Sequence, residues 1–190
     1  MIAYLNGEFK VKNPAYFIVE CNGVGYQVNI SLNTFSKLQT LDKGKIHTYL
    51  HIREDAQILY GFADESEKNL FISLISVQGV GTNMARMILS SMSPADLEEA
   101  IRTENDVLIQ RIKGVGPKTA KRLVIDLKDK IGKGAGATEN SFGFGHNTMK
   151  EEALSALAML GFTRQQGEKA IGSAMKLNPT PTNVESLIKL

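Results

Sequence analysis

The chain has 190 residues, 43% apolar and 22% charged, with 22 lysines and arginines against 20 aspartates and glutamates. This composition excludes a disordered polar chain and leaves room for one large domain or two to three small ones. The single cysteine, Cys21, excludes an internal disulfide, and no apolar run approaches the ~20 residues of a membrane span. The start MIAYLNGEFK lacks the basic head and long apolar stretch of a secretory signal, so a soluble cytoplasmic protein is expected. The net charge of +2 decides little, but its distribution does: Arg111 to Lys133 holds eight basic residues against two acidic ones, Asp126 and Asp129.

Residues 1–62 read as strands. MIAYLNGEFKVK, AYFIVEC, GYQVNIS, KIHTYLHI and QILYGF are rich in β-branched and aromatic residues, and turn signals at Asn13-Pro14, Asn22-Gly23 and Asp42-Lys43-Gly44 separate them. Five short strands in so short a stretch predict a small closed β-barrel, with an open sheet packed on the rest of the chain as the alternative. Arg53-Glu54-Asp55 falls between the last two strands, where a solvated hairpin tip usually carries charge.

From Asp64 the period changes. ESEKNLFISLISV places Leu70, Leu74 and Val77 on one helical side. Ser93 and Pro94 mark a helix start, as does Asn105, and Pro117 opens a helix expected to run to about Lys130. Residues 64–130 are therefore expected to be helical. Residues 131–147, with five glycines and no periodicity, read as a flexible linker. Residues 148–190 read as three helices, each with a capping-box pattern: Thr148 with Glu151, Thr163 with Gln166, Thr182 with Glu185.

Within the helical segment the chain writes Gly-Val-Gly twice, at Gly79-Val80-Gly81 and Gly114-Val115-Gly116, each time entering a helix. A helix start has amides without intrahelical partners and carries partial positive charge. Glycine lets a phosphate come close to it, while the valine between can turn inward as an anchor. After the second copy, Lys118, Lys121 and Arg122 lie three to four residues apart, on one helix face. After the first, Thr82 and Asn83 offer hydrogen bonds and Arg86 the single charge. A tight turn between packed helices would also explain one such tripeptide, but two copies with a basic face point to phosphates on both strands of a duplex. Such contacts position DNA without reading its sequence. No Gly-Lys-Ser/Thr follows, so a nucleotide P-loop is not expected.

The two hairpins match the helix-hairpin-helix motif. Together with MIAYLNG, GVGYQV, REDAQILYGF, KTAKRL and EALSALAMLGF, they closely resemble the RuvA family of Holliday-junction-binding proteins over nearly the whole length. The resemblance implies a multidomain α+β chain with three parts. These are an OB-type β-barrel (1–63), a double helix-hairpin-helix domain (64–130) and, beyond the linker, a three-helix domain (148–190). It also implies a homotetramer, paired in some cases into an octamer, on an open four-way junction, acting in recombination, repair and the SOS response. By the same resemblance Glu54 and Asp55 form an acidic pin at the junction centre. The last domain binds the hexameric ATPase RuvB, with Leu157, Leu160 and Phe162 at matching positions, and the resolvase RuvC is a further partner. Relatives often carry proline and a basic residue where this chain has Thr82 and Asn83, so the first hairpin is expected to grip phosphate less tightly.

No site for chemistry is expected, and no cofactor or metal. His47, His51 and His146 do not form a ligand cluster with Cys21, and Glu54-Asp55 lacks a third acidic ligand nearby. The rival class is an enzyme, since helix-hairpin-helix domains also occur in glycosylases and nucleases. Asp126 and Lys128 would then be the catalytic candidates, although they read as the polar face of a helix. A plain nucleic-acid adaptor is the third reading.

Overall fold

Five strands close into a barrel in the computed structural model, which describes residues 1–134, 153–154, 156–157 and 160–177. The strands are β1 (Tyr4–Asn13), β2 (Tyr16–Cys21), β3 (Val24–Ile30), β4 (Lys43–Ile52) and β5 (Gln57–Phe62), in the order β1-β2-β3-β5-β4. β4 pairs back onto β1, so the sheet closes and leaves no free edge. All neighbours run antiparallel except β3 and β5. Alternation puts Phe17 and Val19 of β2, Val28 and Ile30 of β3, and Ile46 of β4 in the barrel core, with Phe9 packed on Phe17 at 5.2 Å between ring centroids. The closed barrel, of OB type, replaces the open-sheet alternative.

A short helix, α1 (Leu32–Leu38), stands between β3 and β4 where the sequence patterning predicts no element. Ser31 caps it by accepting the Thr34 amide at 3.0 Å, and Leu38 and Phe35 join the barrel core. Its other side meets the helical region. Leu32 N–H donates to Ser90 Oγ at 3.1 Å, and the Asn33 side-chain amide donates to the carbonyls of Leu89 and, at 2.8 Å, Met92.

The helices that follow are α2 (Glu65–Ile75), α3 (Thr82–Ser91), α4 (Pro94–Arg102), α5 (Asp106–Gln110) and α6 (Pro117–Gly134). The expected caps form: Ser93 Oγ accepts the Asp96 amide at 3.2 Å with Pro94 at the first helical position, and Asn105 Oδ1 accepts the Leu108 amide at 3.1 Å. Leu70, Leu74 and Val77 are buried as their spacing predicts. They share one core with Ile88, Leu97, Ile109, Leu123 and two barrel residues, Tyr60 and Phe62. Phe71 of α2 ties the two regions, its ring 4.9 to 5.6 Å from those of Phe62, Tyr60 and Tyr49. Barrel and helices thus belong to one compact unit, Met1–Glu139. α6 runs through Gly134, so the first four residues of the expected linker are helical; an interior glycine weakens a helix by only about 1 kcal/mol. Residues 135–147 of that linker lie outside the described residues.

In the second unit, Asn140–Leu190, the chain is helical at 153–154 and 156–157, and α7 (Arg164–Leu177) follows. Ala153, Leu157, Ile171 and Ala174 form its core. Gly161, at φ +95°, stops the first helical stretch, and Phe162 N–H donates back to the Leu157 carbonyl at 3.1 Å. The Thr163 capping box is present in both directions, with Thr163 N–H on Gln166 Oε1 at 2.9 Å and Gln166 N–H on Thr163 Oγ1 at 3.4 Å. The patterns at Thr148 and Thr182 fall outside the described residues.

Candidate nucleic-acid interface

The two Gly-Val-Gly segments fold into the same turn, bond for bond. In the first, Val77 N–H donates to Leu74 C=O at 3.1 Å and Val80 N–H to Val77 C=O at 3.0 Å, with Gly79 at φ +93°. In the second, Ile112 N–H donates to Ile109 C=O at 3.2 Å and Val115 N–H to Ile112 C=O at 3.0 Å, with Gly114 at φ +89°. Gly81 and Gly116 then give the first helical acceptors, for Ala85 and Ala120, both at 2.9 Å. Val80 and Val115 are buried and anchor each turn from beneath.

The helix starts differ from their neighbours. Side chains of Ser31, Asp64, Ser93 and Asn105 cap α1, α2, α4 and α5. Gly81 caps α3 with no side-chain bond, and Gly116 before α6 has no side chain to offer. The first-turn amides of α3 are left for an external acceptor, with the helix dipole behind them. A Cβ built at Gly79, Gly81 or Gly116 would meet no atom within 4 Å. Internal crowding therefore does not explain Gly81 and Gly116, and the space beside each is open.

The surrounding charge is unequal. Lys118 and Lys121 are exposed on α6 and make no ion pair among the described residues. Arg122 is also exposed, with Nε 3.5 Å from the Asp126 carboxylate one turn on. Lys128 pairs with Glu104, so both residues considered as catalytic candidates are members of surface ion pairs. At the first hairpin Asn83 is exposed, but Thr82 and Arg86 turn toward the barrel. Thr82 Oγ1 lies 2.9 Å from the Tyr60 hydroxyl, and Arg86 Nη1 donates to the Ala15 carbonyl, in the β1–β2 turn, at 3.1 Å. Neither contact has a local sequence signal, because the partners lie 22 and 71 residues away.

Glu54 and Asp55 are exposed in the β4–β5 turn, which Arg53 N–H closes by donating to the Ala56 carbonyl at 2.8 Å. Neither carboxylate makes an ion pair among the described residues. The three C-terminal candidates separate: Leu160 and Phe162 are 67% and 52% exposed, while Leu157 is 8% exposed and packs in the core of its unit. The helix stop at Gly161 explains the split, since Leu157 stays on the inward face and the residues around the turn do not.

Comparison with known proteins matches the chain to three family models. These are the RuvA N terminal domain over residues 1–61, the SAM-like helix-hairpin-helix tandem over 71–129, and the RuvA C-terminal domain over 148–190. The chain is 49% identical over 190 residues to a protein of Christiangramia forsetii, covering all of this chain and 97% of that one. It is 48% identical over 198 residues to one of Bacteroides thetaiotaomicron, and 45% identical over 193 residues to one of Cytophaga hutchinsonii, again across the whole of this chain and 98% and 97% of theirs. All three relatives carry the name Holliday junction branch migration complex subunit RuvA.

Proposed function

The chain belongs to the RuvA family, and from that membership we propose that it is the non-catalytic subunit of a branch-migration complex, binding four-way (Holliday) junction DNA. The observation that carries the proposal is the duplicated hairpin, with open helix starts that no side chain caps and an exposed basic face behind the second copy. Amides near Gly81 and Gly116 donate to phosphate oxygens of the two strands of one arm, and Lys118, Lys121 and Arg122 add charge along the same track. Thr82, Asn83 and Arg86 belong to the first site, where hydrogen bonding outweighs charge. Binding of this kind is independent of sequence and sensitive to salt.

A four-fold assembly would give each arm its own subunit. Four copies of Glu54 and Asp55 would then gather about eight negative charges at the crossover, repelling the phosphates and steering strands into separate arms. Residues 148–190, tethered through 135–147, would engage the ATPase RuvB through Leu160 and Phe162. ATP hydrolysis belongs to that partner, and the open junction is then presented to RuvC. The setting is cytoplasmic recombination and repair.

The test is a gel-shift titration at fixed salt with a synthetic four-way junction and a linear duplex of equal length, for the wild type and Glu54→Gln/Asp55→Asn. The proposal expects tighter binding to the junction, with a preference that the double substitution changes. Equal affinity for both DNAs would reduce the protein to a general adaptor.

A further inference from the structure

On the reading of the first hairpin as a phosphate site, we infer that Tyr60, a barrel residue, is its positioning residue: the phenol holds Thr82 and leaves the Thr82 hydroxyl to donate outward to phosphate. Tyr60 lies in β5, is 2% exposed, pairs with Tyr49 across the β4–β5 ladder, and packs on Phe71 at 5.2 Å. Its ring is buried against Phe71. Its hydroxyl reaches one residue, Thr82, at 2.9 Å, and no buried side-chain polar atom among the described residues lacks a partner. Thr82 is the first residue of α3, beside Gly81, at the helix start with no side-chain cap.

Proton counting sets the direction of the bonds. Each hydroxyl has one proton to give, and an ionised phosphate oxygen only accepts. For Thr82 to serve a phosphate it must send its own proton outward and take its inward bond as acceptor. Tyr60 is then the donor. The chain Tyr60 to Thr82 to phosphate runs head to tail, and each bond polarises the next.

The internal repeat supplies the comparison. Counting 35 residues on, the counterpart of Thr82 is Pro117 and that of Arg86 is Lys121. Pro117 needs no partner to fix the start of α6, because its ring sets φ. Lys121 is exposed and faces outward as charge. The first hairpin has neither device. Instead, Thr82 and Arg86, one turn apart on one face of α3, are both tied to the barrel, through Tyr60 and the Ala15 carbonyl. Pre-organisation by the barrel stands in for the outward-facing charge that the second site has and the first does not.

The experiment is an anisotropy titration of a labelled four-way junction with the full chain at fixed salt. The variants are Tyr60→Phe, Thr82→Val, the two combined, Thr82→Ser, and Lys118→Ala at the other hairpin. Tyr60→Phe and Thr82→Val should each weaken binding by about tenfold. The combination should be no weaker than Thr82→Val alone, Thr82→Ser should keep the wild-type affinity, and Tyr60→Phe should leave the unfolding midpoint near the wild-type value. Wild-type affinity in Tyr60→Phe, or a loss that adds in full to that of Thr82→Val, overturns the role of Tyr60. If Lys118→Ala and Thr82→Val both bind like the wild type, the hairpins are not the phosphate sites and the role of Tyr60 falls with them. A weakened Lys118→Ala beside an unaffected Tyr60→Phe leaves the hairpin reading standing and removes only Tyr60.

Discussion

A methyl group added at Gly114 and one added at Gly116 meet different penalties. Gly114 sits at φ +89°, and its Cβ would also come within 3.3 Å of the Met87 Cε, so Gly114→Ala should destabilise the fold by about 1–2 kcal/mol. Gly116 has open space around it and no left-handed φ, so Gly116→Ala should change stability by less than about 1 kcal/mol. Urea unfolding of the two variants checks the contrast; equal losses would mean that both glycines serve the turn alone. Leu157 and Leu160 make a second contrast. Leu157→Ala should unsettle the C-terminal unit by about 2–5 kcal/mol, while Leu160→Ala or Phe162→Ala should leave its unfolding unchanged and weaken ATPase binding in a pull-down. The glycine doublets were readable as residues to single out, because the tripeptide repeats. That the first glycine of each pair takes the positive φ of the turn, while the second has an ordinary φ and open space around it, was not readable, since φ and free space are properties of the folded chain.

The elements with local causes were legible: strands from their β-branched and aromatic content and the turn signals between them, α2 from its apolar side, α4 and α5 from Ser93 and Asn105, α6 from Pro117. α1 was not, because much of what holds it lies elsewhere in the chain. Ser31 and Thr34 donate their hydroxyls to the two oxygens of buried Glu67 in α2, and Lys37 pairs with Asp64 at 2.6 Å. Burial pushes the Glu67 carboxyl up from its ordinary value, against the pull of the two hydroxyls. Burial also acts on Asp64, but there bonds from Lys37, Ser66 and the Glu67 amide outweigh it and hold the carboxyl low. The signs are opposite. Between the ordinary and the raised value for Glu67 the folded state binds more protons than the unfolded one, so stability falls as pH rises through that window. Asp64 contributes stability that is lost only as pH falls through its lowered value. Lowering the pH through the raised Glu67 value toward the ordinary carboxylate range should therefore stabilise the wild type relative to Glu67→Gln in urea titrations. A stability difference that is flat with pH would show that Glu67 titrates as an ordinary carboxylate.

Across the whole molecule the barrel and the hairpins work as one body. Phe71, Tyr60–Thr82 and Arg86–Ala15 all join them, and each spans a sequence gap that no periodicity can reveal. Binding along the proposed phosphate track should follow counterion release. Lys118→Ala should flatten the log–log salt dependence of junction binding by about 0.9 for each phosphate that the lysine neutralises. An unchanged slope would place Lys118 off the track. In the proposed complex, open backbone at two glycine-capped helix starts, and not the basic side chains alone, holds the DNA. Junction affinity of Gly81→Ala/Gly116→Ala, measured beside its unfolding midpoint, tests this most directly. That variant should be folded much as the wild type is, with all its lysines in place, and should bind the junction at least tenfold more weakly. Wild-type affinity would contradict this role of the backbone.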